Sequence, residues 1–291
     1  MDKSELTGLI EQAIIEAVKA TPEIVSMLHG TARWIAEVHA FKLGEAPDDE
    51  QRLRDERALM RKLREFFAEQ QERILKLVKQ EYKAIQLSFW DDELMRMWET
   101  VSENMVAIVI NAARGGIALL PEGIRERVDD MSLRLRLVDY ARLHRDKWLK
   151  LINEQTRDFV MDSILKWQQS GEPFSELVKI LSNEELGIFN ETRAKLIATT
   201  EVTRLHAWGN ALAWEKSGYI SKFRWNTAND ERVCPICGPR ENQVFPLSFI
   251  QDNMPAHPRC RCWATPIVDE NIENDWLFDF SRETMERLER E

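Results

Sequence analysis

Apolar residues recur at helical spacing through most of the first 218 residues. The clearest case follows Asp48-Asp49-Glu50, acids that suit the positive end of a helix dipole. The apolar positions after them recur every three, four or seven residues and predict an amphipathic helix of about 35 residues. They are Met60, Leu63, Phe67, Ile74, Leu77 and Ile85. The charged outer faces favour a solvated helix in a bundle, with a self-assembling coiled coil as the alternative.

A second helix is predicted to start at Thr100–Glu103, which has capping-box spacing ahead of the apolar run 105–110. Gly115-Gly116 and Pro121-Glu122-Gly123 then break the pattern, and they place a domain boundary near residue 123. Residues 105–120 are the most apolar stretch, but a membrane span needs about 20 apolar residues. The first residues also lack the apolar core of a secretory signal. We therefore expect a soluble protein with no membrane anchor.

A second helical region is predicted over residues 124–218. Helices over 152–169 and 174–181 are separated by turn residues at 170–173. The next helix starts after Asn190, a favourable cap, and ends at Gly218. Its inward stripe contains Glu201 together with Ala194, Ile197, Ala198, Leu205, Trp208 and Leu212.

Glu201 needs a partner if it faces the core, because an unpaired buried carboxylate is costly. Arg261 is the partner we predict, with Arg193 as the other candidate. Two alternatives stay open. Glu201 can lie at the edge of the stripe and reach water, or it can serve as a catalytic acid.

After Gly218 the pattern changes from helical spacing to strand alternation. Apolar and polar residues alternate from Phe223 to Thr227, and residues 243–247 and 261–268 are further strand candidates. The predicted fold is mainly α with a small C-terminal α+β module. A body of long helices is followed by a short antiparallel β-sheet. The predicted divisions are helical regions 1–123 and 124–218, the β module 219–268 and a C-terminal tail 269–291.

Charge is distributed unevenly along the chain. The 50 acids and 40 bases give a net charge of −10, which argues against a general nucleic-acid coat. Residues 267–291 hold nine acids and three bases and read as an exposed amphipathic helix. Residues 131–150 hold six bases and two acids. Candidate nucleic-acid contacts there are Arg134, Arg136, Arg142 and Arg145, although basic helix faces are usually only solvated.

All four cysteines of the chain fall between residues 234 and 262. Cys234-Pro-Ile-Cys237 has the spacing of a knuckle that directs two sulfurs at one ion, and His257-Pro-Arg-Cys260-Arg-Cys262 follows at a normal zinc-loop distance. Five candidates compete for four tetrahedral positions. We predict a zinc site formed by Cys234, Cys237, His257 and Cys260, with Cys262 replacing His257 as the alternative.

Two other chemistries fit parts of this motif less well. A glutaredoxin-like redox pair needs a helix directly after Cys-Pro-x-Cys, but Gly238-Pro239 indicates a turn. A catalytic zinc site keeps one position open and needs a general base, and zinc deaminases carry His-x-Glu ahead of the cysteines. Five ligands without such a base favour a closed, structural zinc that substitutes for a core in a small module. Free thiols also fit a reducing cytoplasm.

The order of these motifs resembles the phage head morphogenesis family, the Mu F-like minor head proteins of tailed bacteriophages. The resemblance covers roughly residues 150–268 and rests on four segments: the helix 193–204, the strand ending at Trp225-Asn226-Thr227, and residues 230–237 and 255–262. Glu201 matches the family's Ala-Arg-Thr-Glu, but Thr199 replaces the arginine. Arg259 stands where the family often has asparagine.

The resemblance implies a minor virion protein, present in few copies near the portal or in the head interior and made in the host cytoplasm. It implies roles in head assembly and in genome packaging or delivery, with portal, capsid or scaffold proteins as partners, a possible contact with phage DNA, and possible oligomerisation. It implies no established enzymatic activity. The alternatives are a metal-dependent nucleic-acid enzyme, such as a nuclease, and a prophage DNA-binding factor, both using the same Cys/His site.

Overall fold

Long helices make up most of the chain. The computed structural model describes residues 49–81, 85, 87–120, 122–126, 128, 130–183, 188–228 and 233–268. The predictions for residues 1–48 and for the acidic tail fall outside these ranges. The helices are α1 (Asp49–Glu81), α2 (Leu87–Ala118), α3 (Glu122–Arg125), α4 (Asp130–Ser170), α5 (Phe174–Ser182), α6 (Glu191–Ser217) and α7 (Ile250–Asn253). The strands are β1 (Ile220–Asn226), β2 (Val244–Pro246) and β3 (Trp263–Val268).

The predicted fold class is confirmed, with a helical body followed by a small antiparallel sheet. None of the described helices combines the length and apolar character needed to cross a membrane.

Helix α1 packs in the bundle as its apolar stripe predicts. Leu63, Phe67 and Ile74 are fully buried, and the helix lies against α2 and α6. Met60 and Leu77 are half-buried, and Ile85 is buried just beyond the helix end. The stripe is therefore covered within the chain itself.

The predicted helix start at Thr100 is wrong, because α2 runs without a break from Leu87. The Thr100 hydroxyl donates to the carbonyl of Arg96, 2.8 Å away and one turn earlier. Trp90 and Met97 are buried on the face that Met105 continues, so tertiary packing carries the helix through the local capping signal. The Gly115-Gly116 break is also absent, and α2 ends at Ala118.

Helix α6 begins and ends where the sequence predicts. The Asn190 side chain accepts a hydrogen bond from the Arg193 amide at 2.9 Å, and Gly218 ends the helix with φ 72°. Every residue of the predicted inward stripe is buried. The helix contacts α1, α2 and α4 on its sides and β1 and β3 near the sheet.

Helices α2 and α6 cross with almost no space between their backbones. A Cβ on Gly209 would lie 2.7 Å from the Val109 carbonyl oxygen and 2.8 Å from the Ala112 Cβ. On α2, a Cβ on Gly116 would lie 3.0 Å from the Asn210 Cα, and the carbonyl of Gly116 accepts from the indole of Trp214 at 3.0 Å. Glycine on both helices thus permits a backbone approach that a larger residue would prevent.

The sheet has the order β2-β1-β3, and both pairings are antiparallel. Phe223 pairs with Phe245 on one side and with Pro266 on the other. Phe223 and Trp225 are fully buried on the face toward the helices. A single hydrophobic cluster extends from Leu59 of α1 to Ala264 of β3, so the sheet shares its core with the helical body.

We predict that Gly209→Ala destabilises the protein by about 1–3 kcal/mol, because the added methyl group overpacks against the α2 backbone. In an exposed helix the same change stabilises by about 1 kcal/mol, so the sign of the effect is diagnostic. Urea unfolding measures it. The control is Ala68→Gly at an exposed position of α1, which is expected to cost about 1 kcal/mol. A Gly209→Ala variant as stable as the wild type would contradict the close crossing.

Candidate functional site

The first cysteine pair forms a tight turn that directs backbone amides at a sulfur. The Cys234 carbonyl accepts from the amides of Cys237 and Gly238 at 3.1 and 2.9 Å. The Cys237 amide also lies 3.3 Å from the Cys234 Sγ. A 3₁₀ turn, Gly238–Arg240, follows instead of an α-helix. The knuckle therefore has the geometry of a metal-binding turn and lacks the helix that a redox pair uses to lower a thiol pKa.

Three of the predicted ligands, Cys234, Cys237 and His257, form one group whose ligand atoms all lie within 4.8 Å of one another, and the fourth, Cys260, adjoins it through Cys237. His257 Nε2 is 3.1 Å from Cys234 Sγ and 3.3 Å from Cys237 Sγ, and Cys237 Sγ is 3.9 Å from Cys260 Sγ. Zinc bonds of about 2.3 Å to sulfur and about 2.0 Å to nitrogen give tetrahedral edges of about 3.8 Å between sulfurs and about 3.5 Å from sulfur to nitrogen. These three distances agree within a few tenths of an ångström, so the Cys/His group could hold a metal ion of this size.

The imidazole of His257 is oriented for ligation. Its Nδ1–H donates to the carbonyl of Pro258 at 2.7 Å. This bond assigns the proton to Nδ1 and leaves the Nε2 lone pair directed at the two sulfurs.

Cys262 forms a second group with Cys237 and Cys260, whose sulfurs lie within 4.8 Å of one another. Cys237 belongs to both groups, so the structure keeps Cys262 as the alternative fourth ligand. A hydrogen bond from the Cys262 thiol lowers the pKa of Cys260 to about 5, and burial raises the pKa of Cys237 to about 12. Binding of a metal must therefore displace the Cys237 proton.

The loop that carries the second half of the site is fixed to two helices. The amide of Arg259 donates to the Thr200 hydroxyl at 3.0 Å, and the Thr203 hydroxyl donates to the carbonyl of Cys260 at 2.7 Å. From α1, Arg52 donates to the carbonyl of Arg261 at 3.3 Å. Cys260 and Cys262 are buried beneath these contacts. The metal site thus lies against the junction of α1 and α6.

Arg259 adopts a left-handed backbone conformation, with φ 62°. An L-residue with a Cβ is strained there, and glycine and asparagine tolerate the region best. This backbone conformation explains why asparagine suits the position of Arg259 in the family that the sequence resembles.

Glu201 faces the core as predicted and is 5% exposed. Its carboxylate accepts from His144 Nε2 at 2.7 Å and lies 3.4 Å from Arg204 Nε. The predicted partners therefore need correction, since the sequence pointed to Arg261 or Arg193 and the carboxylate pairs with His144 and Arg204 in the structure. The crossing of α4 over α6, which sequence spacing does not show, brings His144 to this carboxylate.

Arg193 serves a different role. Its guanidinium donates to the Ile188 carbonyl at 2.7 Å and to the Thr156 hydroxyl at 3.1 Å, and it lies over the ring of Phe67. Burial lowers the pKa of Arg193 to about 10. The residue therefore joins α4, α6 and α1 instead of neutralising Glu201.

The pKa of Glu201 reflects opposing effects. Burial alone would raise this pKa, but the hydrogen bond and charge of His144 and the charge of Arg204 hold it below the usual range. The carboxylate is thus ionised and engaged at neutral pH.

The predicted basic patch on α4 is only partly exposed. Arg134, Arg136 and Arg142 are exposed. Arg145 is 6% exposed, and its guanidinium lies 4.1 Å from the centroid of the Trp98 ring and donates to Asp146. As a correction, Arg145 is removed from the candidate nucleic-acid contacts, because helix packing covers its charge.

Sequence reasoning missed a second buried polar contact beside the metal loop. His206 Nε2 lies 3.0 Å from an oxygen of Asp55, whose other oxygen accepts from Asn111 at 3.2 Å. These residues join α6, α1 and α2. His206 and Asp55 lie 151 positions apart, so no local pattern could have paired them.

Comparison with known proteins identifies one family over this part of the chain. The sequence model of the family described as Phage Mu protein F like protein matches residues 156–265. The resemblance to the Mu F-like head morphogenesis family is thereby confirmed over that segment. No curated protein and no solved structure matches the chain.

We predict that the purified protein binds one Zn²⁺ and that chelation lowers its free energy of unfolding, because binding energy at such a site is folding energy. Cys262 is not a ligand in the predicted site, so Cys262→Ser should weaken zinc binding by no more than roughly 10–100-fold, the effect typical of replacing a residue that hydrogen-bonds to a ligand. Cys234→Ser removes a ligand and should weaken zinc binding further. Competition with a chromogenic chelator measures both affinities, and Co²⁺ absorption counts the thiolate ligands. A loss on Cys262→Ser as large as that on Cys234→Ser, with four thiolates counted by Co²⁺ absorption, would make Cys262 a ligand in place of His257.

Replacing Arg259 with asparagine is expected to stabilise the fold by about 0.5–1 kcal/mol, by relieving the left-handed strain. The matched variant Arg259→Val should destabilise, since a β-branched residue disfavours this backbone region. Thermal unfolding of the zinc-loaded protein compares the three. Equal stability of the asparagine and valine variants would count against the assigned conformation.

Glu201→Gln should cost about 1–3 kcal/mol at neutral pH, because it leaves His144 and Arg204 without their charged acceptor. A carboxylate with a lowered folded pKa stabilises above its unfolded pKa, and that stabilisation is lost as pH falls through the folded value. The gap between wild type and variant should therefore narrow below about pH 4. Urea unfolding at several pH values measures it. The exposed Glu99→Gln is the control, and a pH-independent gap would contradict the assignment.

Proposed function

We propose that this protein is a minor component of a phage head that binds the portal or the capsid interior and acts in head assembly and in genome packaging or delivery. The family match over residues 156–265 is the observation that carries the proposal. This segment includes Glu201 and all five Cys/His candidates. The part of the chain that resembles head proteins is thus the part that holds the candidate site.

The metal in this proposal is zinc, with a structural role. Three thiolates and one imidazole suit zinc and complete its usual four-coordinate shell, which leaves no position for a substrate. Bound zinc would hold the 257–262 loop against Thr200 and Thr203 of α6. The loop would then be a fixed surface for assembly, as expected of a protein that acts by binding.

A non-catalytic role also agrees with the environment of Glu201. Its carboxylate is buried, hydrogen-bonded to His144 and paired with the charge of Arg204. A general acid or base has to reach a substrate proton, whereas this group joins two helices. We infer that Glu201 acts in the fold and not in a reaction.

Helix α1 offers a docking surface for a head partner. Its inner stripe is covered by α2 and α6, and its outer face carries exposed arginines in the N-terminal half. These are Arg54, Arg57, Arg61 and Arg64. Such a face can contribute electrostatic complementarity to an acidic partner surface.

The test is incorporation into heads. Heads assembled with the tagged protein are purified and probed for it, and portal protein is tested for co-purification. The expected result is presence in few copies per head, with incorporation reduced at least tenfold by Arg57→Glu plus Arg61→Glu. The matched control is Lys179→Glu on the exposed side of α5. Absence of the wild-type protein from purified heads would refute the proposal.

A further inference from the structure

Cys262 is a thiol that the predicted zinc site leaves unused. The four predicted ligands fill a tetrahedral shell, yet Cys262 is 5% exposed and its sulfur lies within 4.8 Å of the sulfurs of Cys237 and Cys260. We propose that Cys262 is the resolving thiol of a redox switch, in which a hydroperoxide exchanges the zinc staple for a disulfide between Cys237 and Cys262. The inference rests on the zinc site of the proposed function.

A small open pocket gives an oxidant access to these thiols. Among the described residues that line it are Cys234, Cys237, His257 and Cys262, but not Cys260. Cys260 is fully buried. A hydroperoxide that enters the pocket therefore meets two predicted thiol ligands together with the unused thiol.

Position selects Cys237 as the partner of Cys262. Cys234 lines the pocket but groups with Cys237 and His257, whereas Cys260 groups with Cys262 but does not line the pocket. Of the four cysteines, all of which the structure describes, only Cys237 both lines the pocket and has its sulfur within 4.8 Å of the Cys262 sulfur. A disulfide needs about 2.0 Å between the sulfurs, so the two side chains must move together once Cys237 no longer holds the metal.

The chemistry balances with hydrogen peroxide as the oxidant. A thiol that coordinates zinc is held as a thiolate, which is the form that attacks peroxides. The Cys237 sulfur attacks one peroxide oxygen, the O–O bond breaks, and the departing hydroxide takes a proton from solvent to become water. The Cys262 thiol then attacks the Cys237 sulfenic acid, so that the S–S bond forms, the S–O bond breaks and a second water leaves with the thiol proton. The two sulfurs lose two electrons, and the peroxide gains them.

The exchange removes a metal ligand but keeps the two halves of the site joined. Cys234, His257 and Cys260 remain as three ligands, so zinc is held more weakly and is released. The disulfide still ties the turn of Cys237 to the 257–262 loop. Because the cytoplasm keeps thiols reduced and the exterior does not, a head protein that leaves the cell in a particle would keep this module stapled in both surroundings.

The experiment treats the zinc-loaded full chain with hydrogen peroxide and follows zinc release with a chromogenic chelator. The expected result is release of zinc with the loss of two hydrogens from the protein mass. Reduction with dithiothreitol followed by added zinc should restore the full zinc content. Trypsin cuts after Arg259 and Arg261, so Cys260 and Cys262 fall on separate peptides and fragmentation assigns the bonded pair.

The variant Cys262→Ser keeps the four predicted ligands and lacks the resolving thiol. Its zinc content and melting temperature are checked first. Dimedone should label the Cys237 sulfenic acid in this variant, and further peroxide should carry it to sulfinic acid, which dithiothreitol does not reduce. The variant should therefore lose its recoverable zinc binding. The matched control is Thr265→Ser, a buried conservative change in β3 that keeps every thiol and should recover like the wild type.

A wild-type disulfide that excludes Cys262, or a Cys262→Ser variant that recovers zinc as fully as the wild type, would overturn the proposal. The peptide assignment uses the wild type alone, so it decides the question even if the variant fails to fold. A preparation that binds no zinc would refute the site on which the inference rests. A zinc-loaded protein in which Cys237 and Cys262 never join would overturn the switch alone.

Discussion

The burial of α6 on nearly every side is the constraint on which the other elements depend. Of its 27 residues, 18 are buried, including several polar ones. Each buried polar group needs a partner, so α6 dictates what its neighbours present. Helix α4 supplies His144 to Glu201, α1 supplies Asp55 to His206, and the metal loop supplies the Cys260 carbonyl to Thr203. The helix thereby fixes the register of the bundle and the position of the metal loop together.

The sequence predicted best those features whose signals are local. Asn190 and Gly218 mark the ends of α6 because capping depends on a few adjacent residues. Strand alternation located the sheet, and the spacing from Cys234 to Cys260 located the candidate metal site, because a tetrahedral ion imposes that spacing. The helix start wrongly predicted at Thr100 shows the limit of a local signal. The helix begins at Leu87 instead, because Trp90 and Met97 are buried on its inner face.

Features that depend on helix crossing could not be predicted in this way. The partner of Glu201 lies 57 residues away on α4, and no periodicity indicates which helix crosses there. The same crossing covers Arg145 with Trp98, which turned a predicted surface charge into a buried one. Charge and exposure therefore follow from tertiary packing, while the identity of the metal candidates follows from sequence. His144 and His206 were recognisable as histidines within helices but not as partners of the buried carboxylates Glu201 and Asp55.

The glycine crossing between α2 and α6 also bears on how such a chain can recombine. Helix α2 lies before the segment that matches the Mu F-like family, yet it meets α6 almost backbone to backbone at Gly209. An N-terminal region exchanged between relatives can dock on this α6 only if it presents small residues where Ala112 and Gly116 now stand. The crossing is thus a steric restriction on the N-terminal helices that evolution or an engineer can join to the segment that matches the family model.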